Sequence, residues 1–215
     1  MNKVLKTIKL IEKQVKSFKI PWVTEESKSK DPYRVLISCI LSLRTKDKTT
    51  AEASKKLFQV ADNPRKMLKL STNRMQKLIY PVGFYRNKAK VILGISKMIL
   101  NEFKGRVPGN LEDLLKFKGV GRKTANLVLG LGYKIPAICV DTHVHRISNR
   151  LGWVKTKDPH ATEEALQRII LRNYWIRLNT VMVAFGQNLC GPVSPFCSKC
   201  YVNEYCQKTG VIRSR

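Results

Sequence analysis

Phe117-Lys118-Gly119-Val120-Gly121-Arg122-Lys123-Thr124-Ala125-Asn126 joins two stretches of helical apolar spacing. Before it, Asn110 opens a short helix expected over residues 111–117. After it, a further helix is expected over residues 123–131. Glycines 119 and 121 permit a tight turn and the close approach of another backbone. The amides of such a turn, and of the first residues of the next helix, point outward at the positive end of the helix dipole. That arrangement suits an anion, and a DNA phosphate fits it without any base being read. A G-x-G pair alone reads more simply as a corner with glycine closing the first helix. The whole ten-residue string in a strongly basic chain favours the phosphate site.

The rest of the chain reads as helices joined by short turns. Residues 32–43 are apolar with no strand-like alternation. Asp47 is expected to cap a helix running toward Leu57, and Asn63-Pro64 starts another. Ser71-Thr72-Asn73 opens a segment ending near Tyr80-Pro81. Val91, Ile92, Ile95, Met98 and Ile99 mark a helix over residues 87–103, and Asp158-Pro159 begins a long one. Val4, Ile8, Ile11, Val15 and Phe18 form an N-terminal amphipathic stripe with the lysines off it. Val140 fits at most a short extended piece. With no other strand pattern, no internal repeat and no low-complexity linker, the expected fold class is all-α.

Composition narrows the partners. Forty-one Lys and Arg against 15 Asp and Glu give a formal net charge of +26 at pH 7. Such a surplus repels itself unless a polyanion compensates it, and nucleic acid is the first candidate, ahead of an anionic membrane surface. No apolar run approaches the ~18 residues needed to cross a membrane, and residues 1–6 have no long apolar core behind them, so no signal peptide is expected. A folded enzyme inside a cell keeps its thiols reduced, which makes the six cysteines free thiols or metal ligands. Cys39 and Cys139 sit in apolar runs and read as core. Cys190, Cys197, Cys200 and Cys206 follow C-x6-C-x2-C-x5-C in a segment with two prolines, one glycine and little periodicity. Such a segment cannot fold on a core of its own, and a metal centre would hold it. By chemistry alone that centre is zinc or iron–sulfur.

Three motifs in one order carry a resemblance: the 117–126 string, Val140-Asp141-Thr142-His143-Val144, and the four cysteines. Together they resemble the endonuclease III family of DNA glycosylases, over about residues 34–206. The resemblance implies a two-lobed helix-hairpin-helix glycosylase fold. Residues 24–135 would form a six-helix barrel lobe bearing the hairpin (about 111–131). Residues 1–23 with 136–215 would form a lobe holding a [4Fe-4S] cluster on loop 190–206, with Cys190, Cys197, Cys200 and Cys206 as ligands. The cluster would be structural and DNA-docking. The function implied is bifunctional: excision of oxidised pyrimidines from duplex DNA, then strand cleavage by β-elimination. Duplex DNA with damaged bases or abasic sites is the expected partner. A monomer is expected, in the cytoplasm, with the nucleoid in a prokaryote.

By the same resemblance Lys123 is the nucleophile that displaces the damaged base and forms a Schiff base with the deoxyribose. An amine attacks only when unprotonated, and its ordinary pKa is ~10.4. A helix N-terminus and the neighbours Lys118 and Arg122 would push it toward neutrality. Asp141 reads from sequence alone as the N-cap of a helix beginning at Thr142. By resemblance it is also the carboxylate that stabilises positive charge at the sugar. His143 and His145 read as structural or DNA-facing.

An extruded base leaves a gap to be filled. Arg44 stands where the family often has a glutamine that plugs it, and a guanidinium can stack and donate there too. Phe84 matches a wedge that is often leucine, and its plain alternative is a core aromatic. Lys118 stands where many relatives have proline and would add a phosphate contact beside Gly119, Val120, Gly121 and Arg122. The loop at residues 191–196 carries no charge where relatives often have basic residues. That contact is either lost or moved to Lys199, Lys208 or Arg213. Two alternatives stay open: a thymine or uracil mismatch glycosylase, and a non-catalytic helix-hairpin-helix DNA-binding module. An adenine-mismatch enzyme fits less well, since those relatives usually lack the lysine.

Overall fold

The computed structural model describes residues 3–215. In chain order its α-helices are α1 (Lys3–Val15), α2 (Trp22–Glu26), α3 (Pro32–Ser42), α4 (Asp47–Val60), α5 (Pro64–Leu68), α6 (Thr72–Ile79), α7 (Tyr85–Glu102), α8 (Leu111–Leu115), α9 (Arg122–Leu127), α10 (Thr142–Arg150), α11 (Pro159–Ile169) and α12 (Trp175–Asn188). Among the described residues there is no strand, so the all-α expectation holds, and Val140 lies in irregular chain. The chain divides into two compact units, Trp22–Ile135 and Met1–Pro21 with Pro136–Arg215.

In the first unit α3 is the hub. Val35, Leu36, Ile37, Cys39, Ile40 and Leu41 are all at most 1% exposed. A helix apolar on every side must be wrapped on every side, and α2, α4, α7 and α9 pack around it. Short polar side chains fix where the surrounding helices start. Asn63 accepts from the amide of Lys66, Ser71 from Arg74 and Asn110 from Asp113. These starts fall where the sequence places them. Asp47 is a correction. It is the first residue of α4, Lys46 is the capping residue, and no side chain caps that end. The Asp47 carboxylate instead accepts from the Trp22 amide, at 2.9 and 3.1 Å, and so ties down the start of α2. Helix α9 is also shorter than expected. It gives way at Val128 to a π-helical turn, Val128–Gly132, that packs against α3.

In the second unit α1 returns to residues far away in sequence. Ile8 and Ile11 are buried with Val144, Ile147, Leu166, Leu178, Met182 and Phe185 from α10, α11 and α12. Trp153 donates to Thr7 across this core at 3.0 Å, and Glu12 pairs with Arg177 at 3.0 Å. Gln14 reaches the cysteine segment, donating to the Lys199 carbonyl and accepting from the Tyr201 amide. No helix is long and apolar enough to cross a membrane among the described residues.

Candidate functional site

Helix α8 and helix α9 form a hairpin whose corner is residues 116–121. Phe117 anchors it from below, 1% exposed and edge-on to Phe103 at 5.5 Å, with Val120 buried beside it. Gly119 has φ +82°, and a Cβ there would also meet Val91 at 3.2 Å. Gly121 is extended and needs no glycine conformation; it precedes the first turn of α9. With Phe117 and Val120 turned inward, Lys118, Gly119 and Gly121 are left exposed. Lys123 is exposed as the second residue of α9. Within the same unit its charge reaches Cys39 on α3. Burial pushes the Cys39 thiol up to about 12, with Lys123 pulling the other way, so the thiol is neutral and gives the lysine no counter-charge. Cys139 is likewise buried, as expected of a core cysteine.

Arg44 follows the end of α3 and Phe84 precedes α7. Both are non-glycine residues in the left-handed region, at φ 52° and 58°. The Arg44 guanidinium lies over the Phe84 ring at 4.8 Å. Phe84 is 60% exposed, which removes the core-aromatic alternative. The two loops touch through Gly83, where a Cβ would sit 2.5 Å from the Arg44 carbonyl oxygen. The Gly83 amide donates to Thr45 Oγ1 at 3.1 Å. Beneath them is Lys88, 6% exposed, with burial pushing its ammonium down to about 8. No role for Lys88 follows from sequence motifs. The available signal is that Lys88 occupies a position on the apolar stripe of α7, in register with Val91, Ile92, Ile95 and Ile99.

In the second unit Asp141 is the N-cap of α10. Its Oδ1 accepts from the amides of both His143 and Val144, at 2.9 Å each, so the cap does not use Oδ2. His145 Nδ1 lies 2.7 Å from Thr162 Oγ1 and His143 is in contact with Arg146, which makes both histidines part of the local packing. The far end of α10 holds the cysteine segment. Arg150, 5% exposed, donates to the carbonyls of Gly191 (2.6 Å) and Pro192 (2.7 Å) and approaches Cys190 Sγ at 3.5 Å. Arg146 donates to the Cys190 carbonyl at 2.8 Å. Replacing Arg150 by Met would leave two carbonyls without donors, a loss of about 2 kcal/mol. At this chain length that lowers the melting temperature by about 4–8 °C, which differential scanning calorimetry checks.

Cys190, Cys197, Cys200 and Cys206 line one cavity, walled by Leu151, Phe185, Leu189, Phe196, Val202 and Val211 among others. Burial raises the Cys200 thiol to about 11 and Cys206 above its ordinary value, and Cys190 and Cys197 add to both shifts. Among the described residues no three His, Cys, Asp or Glu side chains converge so as to hold a single metal ion. The donor set fits a larger, anionic group: four thiols share a pocket, buried Arg150 stands against Cys190 Sγ, and the Lys208 amide donates to Cys206 Sγ at 3.3 Å. A buried cation requires such compensation.

Residues 37–172 match the model of the HhH-GPD superfamily of base excision DNA repair proteins. The chain is 51% identical over 180 residues to endonuclease III of Thermotoga maritima, covering 84% of each. It is 36% identical over 179 residues to that of Bacillus subtilis, covering 83% of this chain and 82% of that one. A solved non-covalent endonuclease III–DNA complex superposes with a TM-score of 0.86 at 30% identity, over 97% of this chain and 96% of that one. On the hairpin, on the helical fold around it and on this likeness through most of its length, the chain belongs to the endonuclease III family of HhH-GPD base excision repair proteins.

Proposed function

We propose that this base excision repair DNA glycosylase and AP lyase removes oxidised pyrimidines from duplex DNA with Lys123 as its nucleophile. The observation that carries the reading is the placement of Lys123: exposed, in the first turn behind the glycine corner, with its charge reaching the buried, neutral Cys39 thiol. The amine attacks C1′ of the damaged nucleotide and displaces the base, then loses a proton as the sugar ring opens to a Schiff base. Loss of a C2′ proton expels the 3′ phosphate, and water releases the lysine. The backbone of residues 118–122 takes a phosphate, with Lys118 and Arg122 adding charge. Arg44 and Phe84 enter the gap left by the extruded nucleotide. Reaction with duplex DNA carrying one oxidised pyrimidine tests this. Cleavage should leave an unsaturated aldehyde at one end and a 5′ phosphate at the other. An uncut strand with a bare abasic site would contradict the lyase.

Asp141 supplies the carboxylate that stabilises positive charge on the sugar and helps activate the amine. Because asparagine caps helices as well as aspartate does, Asp141→Asn should keep the melting temperature within about 2 °C. Excision should nonetheless fall on the order of 100-fold, as for loss of a charge matched to the transition state. An equal fall in stability and rate would leave Asp141 only its cap. The four cysteines hold a [4Fe-4S] cluster. Such a cluster would supply the core that segment 190–206 lacks, while Arg146 and Arg150 tie that segment to the helix that Asp141 begins. The enzyme acts as a monomer in the cytoplasm.

A further inference from the structure

A buried ammonium bonded to uncharged acceptors needs a reason, because desolvating it is costly. Lys88 Nζ donates to three groups on one short stretch of chain: the carbonyls of Leu41 (2.8 Å) and Leu43 (2.5 Å), and Thr45 Oγ1 (3.1 Å). Leu41 is at the C-terminal end of α3, where carbonyls lack helical partners and the helix dipole is negative. Arg44 lies inside the same stretch, between two of the acceptors. On its own side, the Lys88 amide donates to the Phe84 carbonyl at 3.0 Å, closing the first turn of α7. One residue therefore grips the Arg44 loop with its side chain and the Phe84 residue with its backbone. Thr45 Oγ1 completes the clamp by accepting from both Lys88 and Gly83.

We propose that Lys88 is a positioning residue that locks the Arg44 and Phe84 loops together, so that the two side chains enter the DNA stack as one preformed wedge. The proposal rests on the reading of Arg44 and Phe84 as gap-filling residues. Two left-handed non-glycine residues facing each other are sparsely populated conformations that persist only when the surroundings over-determine them. The Lys88 bonds and the Gly83 contact supply that determination. A preformed wedge need not be ordered while the base is being extruded, so its loss should show only where there is a stack to open.

The experiment compares two substrates: a duplex with one paired oxidised pyrimidine, and a single-stranded oligonucleotide with an abasic site, which has no stack. Lys88→Met should slow excision on the duplex by about ten-fold or more while changing Schiff-base formation on the single strand less than about two-fold. Thr45→Val removes only the shared hydroxyl and should act in the same direction, by about three-fold. It decides the question if Lys88→Met does not fold. Lys88→Met added to Phe84→Ala should slow the duplex reaction little further, since Lys88 acts through the wedge. An equal loss on both substrates, or a folded Lys88→Met or Thr45→Val with unchanged duplex rate beside an impaired Phe84→Ala, overturns the role of Lys88 alone. If Arg44→Ala and Phe84→Ala leave duplex excision untouched, the wedge reading falls and the role of Lys88 falls with it.

Discussion

Lys123→Gln is expected to abolish strand cleavage and base removal while leaving duplex binding nearly unchanged. Removing an enzyme's nucleophile costs on the order of 10³-fold or more in rate. Glutamine keeps the length and polarity of the side chain on the exposed first turn of α9, so the hairpin should stay intact. Its frame is fixed elsewhere, by Phe117 and Val120 in the core and by Gly119 against Val91. Binding draws on the backbone of that corner and on a cationic surplus from 41 Lys and Arg, of which one is lost. Cys39 cannot substitute as nucleophile, because its thiol is buried and neutral. Single-turnover cleavage and fluorescence anisotropy on the same duplex separate the two quantities. A variant that binds tenfold more weakly yet still cuts would reassign Lys123 to phosphate contact.

Cys200→Ala is expected to bleach the protein and unfold its cysteine segment. The anaerobically prepared parent should be brown, with broad visible absorption and iron and inorganic sulfide in equal amounts. Leu151, Phe185, Leu189, Phe196 and Val202 line the pocket that the four cysteines share, and without a bound group they would be left facing an empty cavity. Arg150 then has buried charge with less to compensate it. A fall of about 10 °C or more in melting temperature follows, equivalent to roughly 3–5 kcal/mol. Trp22–Ile135 has a core of its own around α3, so its helices should outlast the loss. A colourless parent with stoichiometric zinc would contradict the cluster.

Most of the helical order was legible because the starts of these helices are chemical. Asn63, Ser71, Asn110 and Asp158 each satisfy an amide that helix geometry leaves unpaired, and that need is local. Asp47 misled because its carboxylate is used across 25 residues, by Trp22, and nothing in the neighbouring sequence reveals that partner. The π-helical turn after Leu127 was hidden for a similar reason. It lies against α3 and follows from packing rather than propensity, with Gly132 against Pro32. At the candidate site the motif residues were visible and their supports were not. Asp141 declares itself as a cap, but Arg150 reaches Gly191 and Pro192 from some 40 residues away. Lys88 sits in an apolar stripe, and only the fold shows that its charge ends on the carbonyls of Leu41, in the last turn of α3, and Leu43 just beyond it.

The most direct test is to mix the protein with a duplex carrying one oxidised pyrimidine, add borohydride and look for covalent protein–DNA adduct. The chemistry above predicts a single trapped species, with the sugar remnant mapped by mass spectrometry to the peptide containing Lys123. No adduct on this duplex or on an abasic one, or an adduct on a different lysine, would contradict it.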